Sequence, residues 1–219
     1  YADDGSRIEC NDMNPAHIIF KILTNASWGM GYTPSDIDED SFKLAADTLF
    51  DENFGLSLAW RNEEAIEDFI GKILDTIDAT LRINVITGKF ELILIRDNYD
   101  VKKLPTLNED NIISVDSFER ASWGDSPNEV VLTYRDRNEA NAVVTVQNLS
   151  AIEIQGNVIS SNQTYAGVHE PELATKIAQR ELHALSTPLA KMSLKTNRLG
   201  FLLQHGDVFI LQWEALGIT

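Results

Sequence analysis

A chain of 219 residues with 43% hydrophobic and 24% charged residues can bury a sizeable core and is not a disordered polymer. Its 18 basic against 34 acidic residues leave a net charge of −16, the reverse of the basic surface that grips a nucleic-acid backbone. Apolar runs such as Phe90 to Ile95 are far too short to span a bilayer, so neither specific nucleic-acid binding nor membrane insertion is expected.

The charge is uneven. Residues 1–100 hold 8 basic and 20 acidic side chains, and residues 101–219 hold 10 and 14. Such a surplus serves solubility; a sharper reading is a surface that repels DNA while standing close to it. Cys10 is the sole cysteine, which excludes an intramolecular disulfide or a thiolate metal cage and fits assembly in a reducing cytoplasm. The chain opens at Tyr1 without an initiator Met or a signal peptide and stops at Ile218-Thr219, so a fragment of a longer protein is expected.

Residues 1–13 show no periodicity and read as a connector. Asn14-Pro15 signals a helix start, with Ile18, Ile19, Ile22 and Leu23 as its buried face to about Asn25, and Trp28-Gly29-Met30-Gly31 breaks it. Asp36, Asp38 and Asp40 precede a second helix over Phe42 to Glu52. Their spacing resembles the start of a calcium loop, but Ser41 and Asp47 stand where that loop needs Gly and Glu, so helix capping is the better reading.

The stretch from Phe54 to Tyr99 is the expected centre of the fold. Ile66, Phe69, Ile70, Ile73, Leu74 and Ile77 form one apolar face at helical period, with Asn62 as N-cap and Glu63 and Glu64 favourably placed for the helix dipole. Leu81, Ile83 and Val85 then alternate as a strand, Thr87-Gly88-Lys89 turns, and Phe90 to Ile95 returns.

Val101 to Asn111 reads as a polar linker containing Pro105. Beyond it the texture is β, with strands expected around Ile113 to Phe118, Val130 to Tyr134, Val143 to Val146 and Ala151 to Ile154. A helix from Pro171, with Leu173, Ile177, Leu182 and Leu185 inward, is ended by Pro188; strands at Leu189–Thr196 and Asp207–Glu214 flank the turn Gln204 to Asp207. The expected fold class is α+β: a helix-on-hairpin unit over residues 1–100, then a mostly antiparallel β-barrel or sandwich with one helix over 101–219.

Chemistry is hard to find. There is no nucleophile elbow, P-loop, H-E-x-x-H or dinucleotide fingerprint. His17, His169, His183 and His205 lie on different elements without ligand spacing, and Trp28, Trp60, Trp123 and Trp213 are scattered. Carboxylates are so abundant that any apparent glycosidase pair carries no information. No catalytic, cofactor or metal residue is nominated, and the protein is not expected to be an enzyme.

The segment from Asn14 to Asn25 followed by Trp28-Gly29-Met30-Gly31 resembles the central tail-hub, or tail-tip attachment, proteins of long-tailed bacteriophages, prophages and gene-transfer agents. The same order continues with Asp38 to Ala46, Phe54 to Trp60, Gly88 to Tyr99, Leu107 to Ile112, Asn128-Glu129-Val130 before Leu132-Thr133-Tyr134, and Gly206 to Val208. The resemblance implies a tail-tube-like barrel and a homotrimeric ring closing the distal end of the tail tube around the path of the genome or tape-measure protein. It implies distal tail and tail-tube proteins and fibres as partners, a place at the virion tail tip after assembly in the host cytoplasm, and no catalytic residues. A cell-wall hydrolase module and a carbohydrate-binding module are the competing readings.

Overall fold

The computed structural model describes residues 12–60, 64–120, 122–165, 167–187, 189–214 and 217. Cys10, Asn62, Glu63 and Pro188 lie outside them, as does the side chain of Trp123.

Helix α1 (Pro15–Thr24) starts as its sequence requires: Pro15 occupies the first turn, and the Asn14 side chain accepts from the Ala16 amide at 3.0 Å. The same Asn14 donates to the Ala46 carbonyl at 2.8 Å, tying α1 to α2 (Glu39–Asp51). At the other end of α1, the Met30 and Tyr32 amides reach back to the Ile22 and Leu23 carbonyls at 2.8 and 2.9 Å. A Cβ at Gly29 would lie 2.1 Å from the Ile22 carbonyl oxygen, so this turn admits no side chain there.

Asp38 caps α2, accepting from the Asp40 and Ser41 amides at 3.1 and 3.2 Å. Asp36 instead caps a 3-10 turn by accepting from Thr33, whose hydroxyl and amide hold the carboxyl below its ordinary pKa. The acidic triplet is capping chemistry, as its residue pattern implies.

Helix α3 runs from Ile66 to Ile77 and begins after Ala65, with Glu67 and Asp68 in its first turn. Phe69, Ile70, Ile73 and Ile77 are buried, and Ile66 and Leu74 pack partly against them. The hairpin follows as β1 (Ala79–Ile83) and β2 (Phe90–Leu94), in register from Ala79↔Leu94 to Ile83↔Phe90. Strand β1 is shorter than its alternation implies. Val85 belongs to the turn, where Asn84 accepts from the Ile86 and Thr87 amides at 2.8 and 3.0 Å.

The second half departs further from expectation. Strand β4 (Ile112–Arg120), β5 (Glu129–Arg135), β6 (Asn141–Gln147) and β8 (Ala190–Thr196) lie where expected. Residues Ala151 to Ile154 do not form a strand; they lie in helix α4 (Leu149–Gln155), which Asn148 caps by accepting from the Ala151 amide at 3.1 Å. Strand β7 (Ser160–Thr164) has no apolar residue and joins through its backbone, parallel to β5. Short β3 (Thr106–Leu107) and β9 (Ile210–Leu211) are also parallel to each other.

The α+β class holds, but the barrel within it does not close. The described strands form four small sheets, β1-β2, β3-β9, β4-β8 and β6-β5-β7, and residues 101–219 carry two α-helices rather than one. Closure would require edge strands to pair onward. Instead helix α5 (Pro171–Ser186) covers one face of β6-β5-β7, burying Leu173, Ile177 and Leu182 with Val130, Leu132 and Tyr134. This buried cluster is continuous with that of α1, α2, α3 and β2.

Ile73→Asp would place an unpaired charge at a fully enclosed position of that cluster. The variant is expected to lose at least about 4 kcal/mol of unfolding free energy in urea titration, more than an ordinary surface change. An unchanged midpoint would mean that α3 does not hold the core together.

Candidate functional site

Two groups of arginines connect elements far apart in sequence. The first closes the carbonyl end of α3. Asp78 adopts left-handed backbone (φ 46°) and turns the chain into β1. Arg180 of α5 donates to the Thr76 carbonyl at 2.8 Å and pairs with the Asp78 carboxylate. Arg96, just beyond β2, donates to the Ile77 carbonyl at 3.1 Å and grips both carboxylate oxygens of Glu52 at 2.7 and 2.8 Å. Cations at a helix C-terminus complement its partial negative charge and satisfy carbonyls that the helix itself leaves free. Burial nevertheless pushes the Asp78 carboxyl above its ordinary pKa despite both arginines. Tyr165 donates to Glu181 at 2.9 Å nearby, and burial together with that bond raises the phenol.

The second group fastens the Gln204-to-Asp207 turn to the hairpin. Arg82 reaches Glu91 at 3.1 Å, Asp207 at 2.5 Å and the His205 carbonyl at 3.2 Å. Thr80 and His205 Nδ1 share a hydrogen bond of 2.6 Å, and Asn84 donates to the other oxygen of Glu91 at 2.6 Å. Glu91 is thus a buried carboxylate with two partners, which is how such a group is tolerated. Gly206 has φ +89°, and a Cβ there would meet Thr80 at 2.6 Å, so the turn and the strand approach too closely for a side chain.

Asn128 is a third junction. It is fully buried, accepts from the Ile159 amide at 2.8 Å, and donates to the Asn157 carbonyl at 2.8 Å and to Gln155. It therefore sets where α4 ends and β7 begins.

Among the described residues, the four histidines serve separate elements. His17 and His183 lie on the exposed sides of α1 and α5, His169 meets the Ser57 carbonyl at 3.2 Å, and His205 serves the turn just described. Among the described residues, no three His, Cys, Asp or Glu side chains are placed to hold a metal ion. No helix among them is long and apolar enough to cross a membrane. Two scattered tryptophans do meet: Trp28 and Trp60 have ring centroids 6.2 Å apart, and Trp60 lies 6.4 Å from Phe69. A cavity of about 640 Å³ lies between the end of α3, β7 and α5, bordered by Lys72, Asp75, Asp78, Tyr165 and Glu181. Another of about 490 Å³ is lined by Tyr99, Leu104, Leu107, Leu202 and Val208. The first is lined by polar residues, of which Tyr165 and Glu181 are bonded to each other, and the second is lined mainly by apolar ones.

The chain belongs to the family described as putative phage tail protein, whose profile matches residues 65–219. It is similar to the 43 kDa tail protein of prophage MuSo2 from Shewanella oneidensis, with 14% identity over 73% of this chain and 48% of that one and a TM-score of 0.46. It is also similar to a tail protein from Neisseria meningitidis MC58, with 14% identity over 82% of this chain and 57% of that one and a TM-score of 0.47. The chain therefore spans about half the length of these two tail proteins. No curated protein matches it.

Removing Arg180 would leave Asp78 desolvated and the Thr76 carbonyl without its donor. Arg180→Met is expected to cost about 1–3 kcal/mol, below the value for a fully buried pair because both side chains are partly exposed. Adding Asp78→Asn should recover part of that loss, which a double-mutant cycle in urea would read.

The Asp78 shift also has a sign. Its folded pKa is raised, so the unfolded chain releases this proton first, and the fold loses stability as pH climbs from about 4 through the folded value. Asp78→Asn alone should gain on wild type across that interval. A gap that narrows with rising pH would contradict the burial argument.

Proposed function

We propose that this chain is part of a tail-tip or baseplate hub. Three copies form a ring that closes the distal end of the tail tube, surrounds the path of the genome or tape-measure protein, and anchors fibres. Residues 1–100 and 101–219 act as its two units, joined through α5. Its partners are further copies of itself, distal tail and tail-tube proteins, and fibres, and it sits at the virion tail tip after assembly in the bacterial cytoplasm.

The observation carrying this reading is membership of a tail-protein family over residues 65–219, together with a run of hub-like motifs extending back to Asn14. The physical role of those motifs supports it. Asn14, Gly29, Asp38, Arg96, Asn128 and Gly206 cap helices, make turns or join elements, so they specify a shape rather than a reaction. A net charge of −16 also suits a wall that DNA passes without adhering.

The role in this reading is assembly, not catalysis. Negative-stain microscopy of the full-length protein should show rings with threefold symmetry. Duplex DNA should not be retained even at about 50 mM salt, where phosphate contacts are strongest. Clearing of a peptidoglycan zymogram, or tight DNA binding, would overturn the assignment.

A further inference from the structure

Two faces of the chain are exposed, apolar and opposite in charge. The first is the outer side of α2. Asp40, Leu44, Asp47 and Asp51 follow at intervals of four, three and four, which aligns them in one stripe, with Phe50 beside it. Leu44 is 67% and Phe50 51% exposed, so large apolar groups stand uncovered between carboxylates. Lys43, the one basic residue of α2, is engaged by Glu39 at 3.2 Å.

The second face belongs to the β4-β8 ribbon and the 3-10 turn Arg198–Leu202 after it. From Leu182 to Gly206 the sequence contains no acidic residue, and Lys191, Lys195 and Arg198 are all exposed, while Glu119 of β4 stands directly across from Lys191 and leaves the ribbon with a smaller basic excess. Leu189 is 61% and Ile113 71% exposed. Lys195 is paired with Asp116 at 3.2 Å, an exposed contact that is readily exchanged. The ribbon has two strands, so each leaves one edge without a sheet neighbour among the described residues. A two-stranded ribbon is marginal by itself and gains stability when covered.

The faces match in length as well as in charge. Asp40 to Asp51 spans about 16 Å at 1.5 Å per helical residue, and Lys191 to Lys195 spans about 13 Å at 3.3 Å per strand residue. Because the two faces differ, copies that join them meet head to tail, the geometry that generates rings when the rotation closes.

We propose that β8 and the turn after it on one copy seat against the outer face of α2 on a second copy. Lys191, Lys195 and Arg198 meet Asp40, Asp47 and Asp51, with Leu44 and Phe50 exposed among the carboxylates and Leu189 and Ile113 at the two ends of the ribbon. The proposal rests on the ring reading above and specifies which surfaces form the ring.

Bulk salt would mix long-range repulsion between copies at −16 with short-range attraction, so charge reversal is the cleaner test. Sedimentation equilibrium at about 0.1 M salt would compare the wild-type chain with Lys191→Glu/Lys195→Glu, Asp47→Lys/Asp51→Lys and all four changes together. If net charge alone governs association, the first pair should weaken it and the second should strengthen it. The proposed contact requires both pairs to weaken association, by at least about tenfold, and the combined variant to return to within about threefold of wild type. Thermal melts confirm folding, and Asp47→Ala/Asp51→Ala replaces any reversal that misfolds, with weakening again expected. Wild-type association that survives Asp47→Lys/Asp51→Lys unchanged or stronger would overturn this interface while leaving the ring reading intact. A chain that stays monomeric at every concentration would likewise overturn this interface, whereas full-length protein without threefold rings would overturn the ring reading.

Discussion

The carbonyl end of α3 is the point on which the rest of the structure depends. Ile73 and Ile77 hold the helix in the core, so its last carbonyls emerge among packed side chains rather than in open water. Arg180 and Arg96 supply the missing donors, and each must then have its own charge balanced. Asp78 and Glu52 do this. The consequence is that α2, α3, β2 and α5 are joined by four charged residues drawn from sequence positions 52 to 180. The helix terminus is capped locally, by the Asp78 amide on the Leu74 carbonyl, and also by distant parts of the chain.

The same logic recurs at the Gln204-to-Asp207 turn. Arg82 points from β1 into a space already containing Glu91, and Asp207 brings a second carboxylate. Burial opposes the charge on Arg82, while its bonds to Asp207 and Glu91 outweigh that and keep its pKa above the ordinary value. Both clamps fix the position of one element against another.

Much of this site was legible as residue types before it was legible as geometry. The Asn14 cap, the Asp38 cap and the Gly206 turn follow from local rules and lie where those rules place them. The partners of Arg82, Arg96 and Arg180 were not legible, because they lie on other elements and no periodicity links them. The contact of Trp28 with Trp60 likewise requires the chain to fold back over more than thirty residues. Glu91 is the sharpest case: a polar residue within the strand Phe90 to Ile95 is here a buried carboxylate paired with Arg82 and Asn84.

Local sequence determined α1, α2, α3, α5 and most strands, since an apolar stripe at helical or alternating period has one stable way to be buried. Composition also set the net charge of −16. Tertiary structure decided the rest. Ala151 to Ile154 became a helix because Asn148 caps it and Gly156 closes it, and the short run Ala-Ile-Glu-Ile does not by itself fix a period. The wholly polar β7 became a strand because the parallel edge of β5 needed backbone partners and Asn128 held the chain beside it. The barrel stayed open because α5 covers the face of β6-β5-β7 that a second sheet would have covered, and an apolar face is buried only once.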